Sequence, residues 1–198
     1  MIAGALLLLL TPAVDDARFE PWFAERAVAV SIARGTDGPP WIRGVAELPV
    51  AANDVFAIVV DYARYRELFS PAVAKAEVLE RTEDGARIHF VWPYPFPFRR
   101  RDAVVAYRAE NLPDGSFLVS WRDASRAGDP REGVRIARVE GDTRIVPLAP
   151  ARCRVTYTYL GDLGGRFPGS LEEEAWRKEP LGYMFALRRR LGLPPPPK

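Results

Sequence analysis

The 198-residue chain holds one cysteine, one histidine and two methionines. One cysteine makes an internal disulfide impossible and rules out a zinc site built from thiolates. Cys153 therefore reads as a buried structural thiol. A single histidine, His89, cannot supply a histidine metal cluster. In the period-2 run 86–92 it alternates with Ile88, Phe90 and Trp92, which places it on the outward face. An outward histidine has no triad to anchor. No GxSxG, P-loop or GxGxxG follows a strand and opens a helix. Charge of one sign is also missing: 28 Lys and Arg stand against 26 Asp and Glu, a net charge of +2. Nucleic-acid binding through phosphate neutralisation is excluded as the main activity. The one unbroken apolar run, residues 2–10, is shorter than the roughly 20 residues that span a bilayer. Followed by Thr11, Pro12 and Ala13, it reads as an export signal cut after Ala13, without the usual basic start. An apolar N-terminal helix is the alternative. Export gives a periplasmic or extracellular protein, and the alternative a cytoplasmic one.

What is present is a globular chain, 48% apolar, long enough for one domain over residues 17–193. A segment, 1–16, precedes it and a proline-rich tail, 194–198, follows. Residues 17–25 read as a short helix carrying Phe19, Trp22 and Phe23. Val28, Val30 and Ile32 alternate with small residues in a strand, and residues 41–50 form a second. Asn53 is the expected N-cap of a helix through Val55, Phe56, Val59 and Val60. Strand-like runs follow at 73–81, 86–92, 102–110 and 116–122, separated by Gly- and Pro-containing turns. Residues 133–140 and 143–148 read as a hairpin across Gly141-Asp142, and 152–160 as the last strand. Ser170 with Glu173 predicts a capping box for a terminal helix that Pro180 kinks or breaks. Its acidic first turn and Arg188, Arg189 and Arg190 complement the helix dipole. The order predicts an α+β fold: a curved antiparallel sheet covered by a long C-terminal helix, with space for a ligand between them.

Several ordered segments resemble the START family of lipid-transfer domains, in the helix-grip (SRPBCC-like) superfamily. They are DVFAIVVDYARYRELFSPAV at 54–73, VWPYPFPFRRRDAVV at 91–105, GVRI at 133–136, RIVPL at 144–148, and CRVTYTYLGDLGGRFP at 153–168. The chain departs from the family pattern at Phe69, where many members carry Trp, at Trp176, near a frequent Asn, and at Pro180. The resemblance implies a protein that takes a lipid or sterol into an internal cavity, without a cofactor, as a monomer. Arg101 and Asp102 match the family's Arg-Asp step, so one of them enters the cavity or locks the loop.

The residues themselves supply the cavity wall. Ile88, Phe90, Trp92, Val105, Tyr107, Phe117, Val119, Trp121, Tyr157 and Tyr159 fall on alternating positions, with Trp176 and Met184 on the covering helix. Small Ala103 and Ala109, in phase with them, leave volume unfilled. The loop carrying Tyr94, Phe96, Phe98, Arg99 and Arg100 suits a membrane-interface contact or a lid. Gly164-Gly165 is a candidate hinge. The rival readings are a polyketide aromatase or cyclase using Tyr107, Tyr157 and Asp102, and an interaction module whose core is filled.

Overall fold

The computed structural model describes residues 16–36, 38–94, 96–136, 138–164 and 169–196. The 2–10 run, the 11–13 cleavage reading, Gly165 of the expected hinge and Pro168 lie outside them. Ten strands form one sheet: β1 (Glu20–Glu25), β2 (Val28–Ala33), β3 (Trp41–Leu48), β4 (Lys75–Arg81), β5 (Gly85–Trp92), β6 (Arg101–Asn111), β7 (Phe117–Asp123), β8 (Val134–Arg135), β9 (Val139–Ala149) and β10 (Arg152–Gly161). Their spatial order is β1-β2-β3-β10-β9-β7-β6-β5-β4. Neighbours on this path are antiparallel, while the two-residue β8 pairs in parallel with the start of β6. Helices α1 (Ala52–Val59), α2 (Tyr65–Leu68) and α3 (Gly169–Arg190) complete the fold. Helix α3 lies chiefly over β3, β10 and β2, and α1 over β9, β10 and β7. This is the expected helix-grip arrangement. Among the described residues no helix is long and apolar enough to cross a membrane.

The core follows the alternation. Val28, Val30, Ile32, Ile42, Ile145 and Val155 meet Val55 and Val59 of α1 and Met184 and Leu187 of α3 in one cluster. Phe56 of α1 stacks on Phe117 at 4.4 Å. Gly44 of β3 lets α3 come close: an added Cβ would lie 2.7 Å from Cβ of Pro180. Gly44→Ala is expected to cost about 1–3 kcal/mol through overpacking, read as a lower urea midpoint with an unchanged slope.

Several local expectations are corrected. Residues 20–25 form edge strand β1 rather than a helix, paired with β2 through a bulge near Pro21. Proline is tolerated there because an edge strand leaves donors unpaired anyway. Asn53 lies inside α1, whose N-cap is Ala51 and makes no side-chain cap bond. No hairpin forms at Gly141-Asp142, because β9 runs through both. Gly141 is glycine for packing: the Trp121 ring lies 2.7 Å from where its Cβ would be, and the Thr158 carbonyl oxygen 2.2 Å. Ser170 falls within the first turn of α3 instead of capping it. The helix continues unbroken past Pro180, whose ring is turned into the interior against β3.

Candidate functional site

On the inner face of the sheet the expected aromatic residues meet as a continuous series of rings. Trp92 stacks on Phe90 at 5.4 Å. Tyr107 lies 5.3 Å from Tyr65 and 5.8 Å from Trp121. Trp121 stacks on Tyr157 at 5.3 Å, and Tyr157 on Tyr183 of α3 at 4.0 Å. Tyr159 stacks beside Tyr157 at 6.2 Å. The Tyr159 hydroxyl lies over Gly161, only 1.7 Å from where a Cβ would sit. Sequence alternation found most of this wall. It missed Tyr62, Tyr65 and Tyr183, which helical and turn segments deliver. Ile88, Val105 and Met184 have essentially no accessible surface and form the packed backing of the wall. Trp176 is half-buried on α3, and its indole nitrogen is buried without a partner.

The main residue that sequence reasoning missed is Glu179. It lies on the inner side of α3 and accepts a 2.9 Å hydrogen bond from the Tyr157 hydroxyl. Glu179 is exposed, while the tyrosine it meets is buried. Tyr107 and Tyr159 are half-buried. Burial pushes the Glu179 carboxyl above its ordinary value, and the Tyr157 hydrogen bond offsets part of that rise. The hydroxyls of Tyr107, Tyr157 and Tyr159 are pushed well up, first by burial and then by the Glu179 charge. Among the described residues Glu179 has no ion pair. The site is thus an apolar, aromatic enclosure with one acid and several neutral hydroxyls at its polar end.

Arg101 and Asp102, adjacent on β6, point to opposite faces. Arg101 donates to the carbonyls of Leu163 at 3.1 Å and Arg99 at 2.6 Å, and lies 5.2 Å from the Tyr94 ring. It ties the 93–101 loop to the chain leading into α3. Asp102 does not face the ring series, which corrects its assignment as a ligand or proton-shuttle residue. It turns to the outer face, 0% exposed, and accepts from the Glu132 backbone N–H at 2.9 Å and from Arg135 at 3.1 Å. His89 lies 3.2 Å from the same oxygen and is also 0% exposed, so it is buried rather than outward. The segment 124–136 covers this outer face, where Arg87 also pairs with Asp129 at 2.8 Å. The alternation was read correctly, but the face was not solvated.

In the loop, Tyr94 and Phe98 are half-buried, while Arg99 and Arg100 are exposed. Phe96 is 98% exposed, the one large apolar side chain so displayed among the described residues.

Comparison with known proteins agrees with this architecture. Residues 48–178 match the family described as polyketide cyclase / dehydrase and lipid transport. No match is found among curated proteins. The STAR-related lipid transfer protein of Xanthomonas axonopodis superposes with a TM-score of 0.78 at 27% identity, covering 88% of this chain and 98% of that one. Human STARD10 gives a TM-score of 0.77 at 16% identity, over 88% of this chain and 73% of that one. The ZhuI aromatase/cyclase of Streptomyces sp. R1128 gives 0.54 at 15%, over 74% and 90%. With an open antiparallel sheet gripping a C-terminal helix, and a family match over most of its length, the chain belongs to the polyketide cyclase/dehydrase and lipid-transport family and has the START helix-grip fold.

Proposed function

We propose that this protein binds a single amphiphilic lipid or sterol in the space between the ring series and α3, and transfers it between membranes. The observation that carries this reading is the continuous ring series facing α3, in which Tyr107 and Tyr159 keep accessible surface and Glu179 is exposed beside Tyr157. A packed core leaves no such surface. Burial of the ligand's apolar body supplies the driving force, about 25 cal/mol per Å² before ordering costs. The test is uptake from vesicles whose acyl chains carry bromine, which quenches tryptophan fluorescence at short range. After the protein is separated from the vesicles, quenching of the interior tryptophans should persist. Recovery of full emission on separation would refute internal uptake.

Phe96 with Arg99 and Arg100 is the proposed membrane contact, an apolar tip beside two cations. Arg99→Glu combined with Arg100→Glu is expected to weaken sedimentation with anionic vesicles by about tenfold or more, at ~1 kcal/mol per basic residue near the surface. Phe96→Ala should weaken it on neutral vesicles as well. Unchanged sedimentation of all these variants would leave the loop as a lid only.

A second reading is favoured by one observation, the hydrogen-bonded Glu179–Tyr157 pair. A buried acid whose proton affinity is raised, next to a tyrosine hydroxyl, suits proton transfer on a polyketide-like substrate. Glu179 takes the role that Asp102 cannot fill. Retained ligand binding with loss of turnover in Glu179→Gln would support this enzyme.

A further inference from the structure

We propose that Glu179 and Tyr157 form a head-group seat that selects a ligand ending in a hydroxyl and excludes one ending in a carboxylate. The inference rests on the ligand-binding reading above and specifies which chemistry the cavity accepts. Two observations converge on it. Tyr157 hydrogen-bonds one carboxyl oxygen of Glu179, which leaves the other oxygen for a guest. Among the described residues no cation neutralises Glu179, although arginines are plentiful elsewhere in the chain.

A hydroxyl both donates and accepts. It can donate to the Glu179 oxygen that Tyr157 leaves open. A carboxylate head would place a second anion beside Glu179, and like charges at that distance repel. Arg101, an inward-facing cation of β6, is engaged with loop carbonyls, so it serves as a clasp and Glu179 reads the head.

The test is titration of the full chain with decanol and with decanoate at neutral pH, followed by intrinsic tryptophan fluorescence. Wild type should bind decanol at least about tenfold more tightly, the equivalent of one unit of proton affinity. Glu179→Gln keeps the shape and removes the charge, so it should close most of that gap by raising decanoate affinity. Tyr157→Phe should weaken decanol and leave decanoate weak. Equal affinity of the two probes for wild type, or a gap that survives in Glu179→Gln, would overturn the seat while leaving ligand binding intact. Failure of both probes to bind would overturn the ligand-binding reading and the seat together.

Discussion

Replacing Asp102 with alanine should cost about 3–5 kcal/mol of folding stability, the expected penalty for removing one partner from a buried ionic network. The substitution strands His89 and Arg135 and leaves the Glu132 backbone N–H without its acceptor. The effect has a defined pH signature. Burial raises the proton affinity of Asp102, but the Glu132 N–H, His89 and Arg135 together more than offset this and hold it below its ordinary value of 3.8. A depressed carboxyl stabilises the fold above its unfolded value and loses that contribution as pH falls through the folded one. The gap between wild type and Asp102→Ala should therefore be full at neutral pH and narrow below about pH 3.8. Chemical denaturation across that range measures it. Ligand affinity should not change, because Asp102 faces away from the rings.

Glu179→Gln should raise the melting temperature of the ligand-free protein at neutral and mildly alkaline pH. The sign is opposite to that of Asp102. An acid whose proton affinity rises on folding favours the folded state where it is protonated, and destabilises it progressively as pH climbs above the unfolded value. Burial without a countercharge is the cause. Glutamine keeps an acceptor for the Tyr157 hydroxyl and has no charge to desolvate. The variant's advantage should grow as pH rises above the ordinary carboxyl range and vanish well below it. A variant less stable than wild type at every pH would mean that Glu179 is a structural anchor. A gain in stability that coincides with altered ligand choice is the signature of a residue kept for function against the interest of the fold.

These two carboxyls also mark where sequence reasoning stopped. The strands of the sheet were legible because one face is apolar and the other is not, and Ile88, Phe90 and Trp92 declared the inner side. The same alternation assigned His89 to the outward face, the usual fate of a polar residue opposite a core, while the family resemblance offered Asp102 to the cavity. It could not show that residues 124–136 fold back over them. The clue was chemical: His89, Asp102, Arg87 and Asp129 can satisfy one another, and such sets can afford burial. Edge strand β1 escaped notice because an edge exposes both faces and its EPWFAE run has no clean period. Gly141-Asp142 imitated a turn because glycine serves both turns and close packing, and only the position of the Trp121 ring separates the two. Glu179 was passed over as one more charge on a charged helix. Its spacing was informative nonetheless: Trp176 and Tyr183 stand three before and four after it, so it shares the apolar stripe.

The arrangement follows from these local facts. Gly44 admits Pro180, which sets α3 against β3 and turns Glu179 toward Tyr157. Arg101 links the 93–101 loop to Leu163 and Gly164 through their carbonyls.

Native mass spectrometry of the full chain after incubation with mixed-lipid vesicles tests the interior space most directly. The account predicts one adduct per chain, of a mass matching a hydroxyl-ended lipid or sterol, that disappears on denaturation. The bare polypeptide mass alone, across vesicles that offer sterols, diacyl lipids and long-chain alcohols, would contradict it.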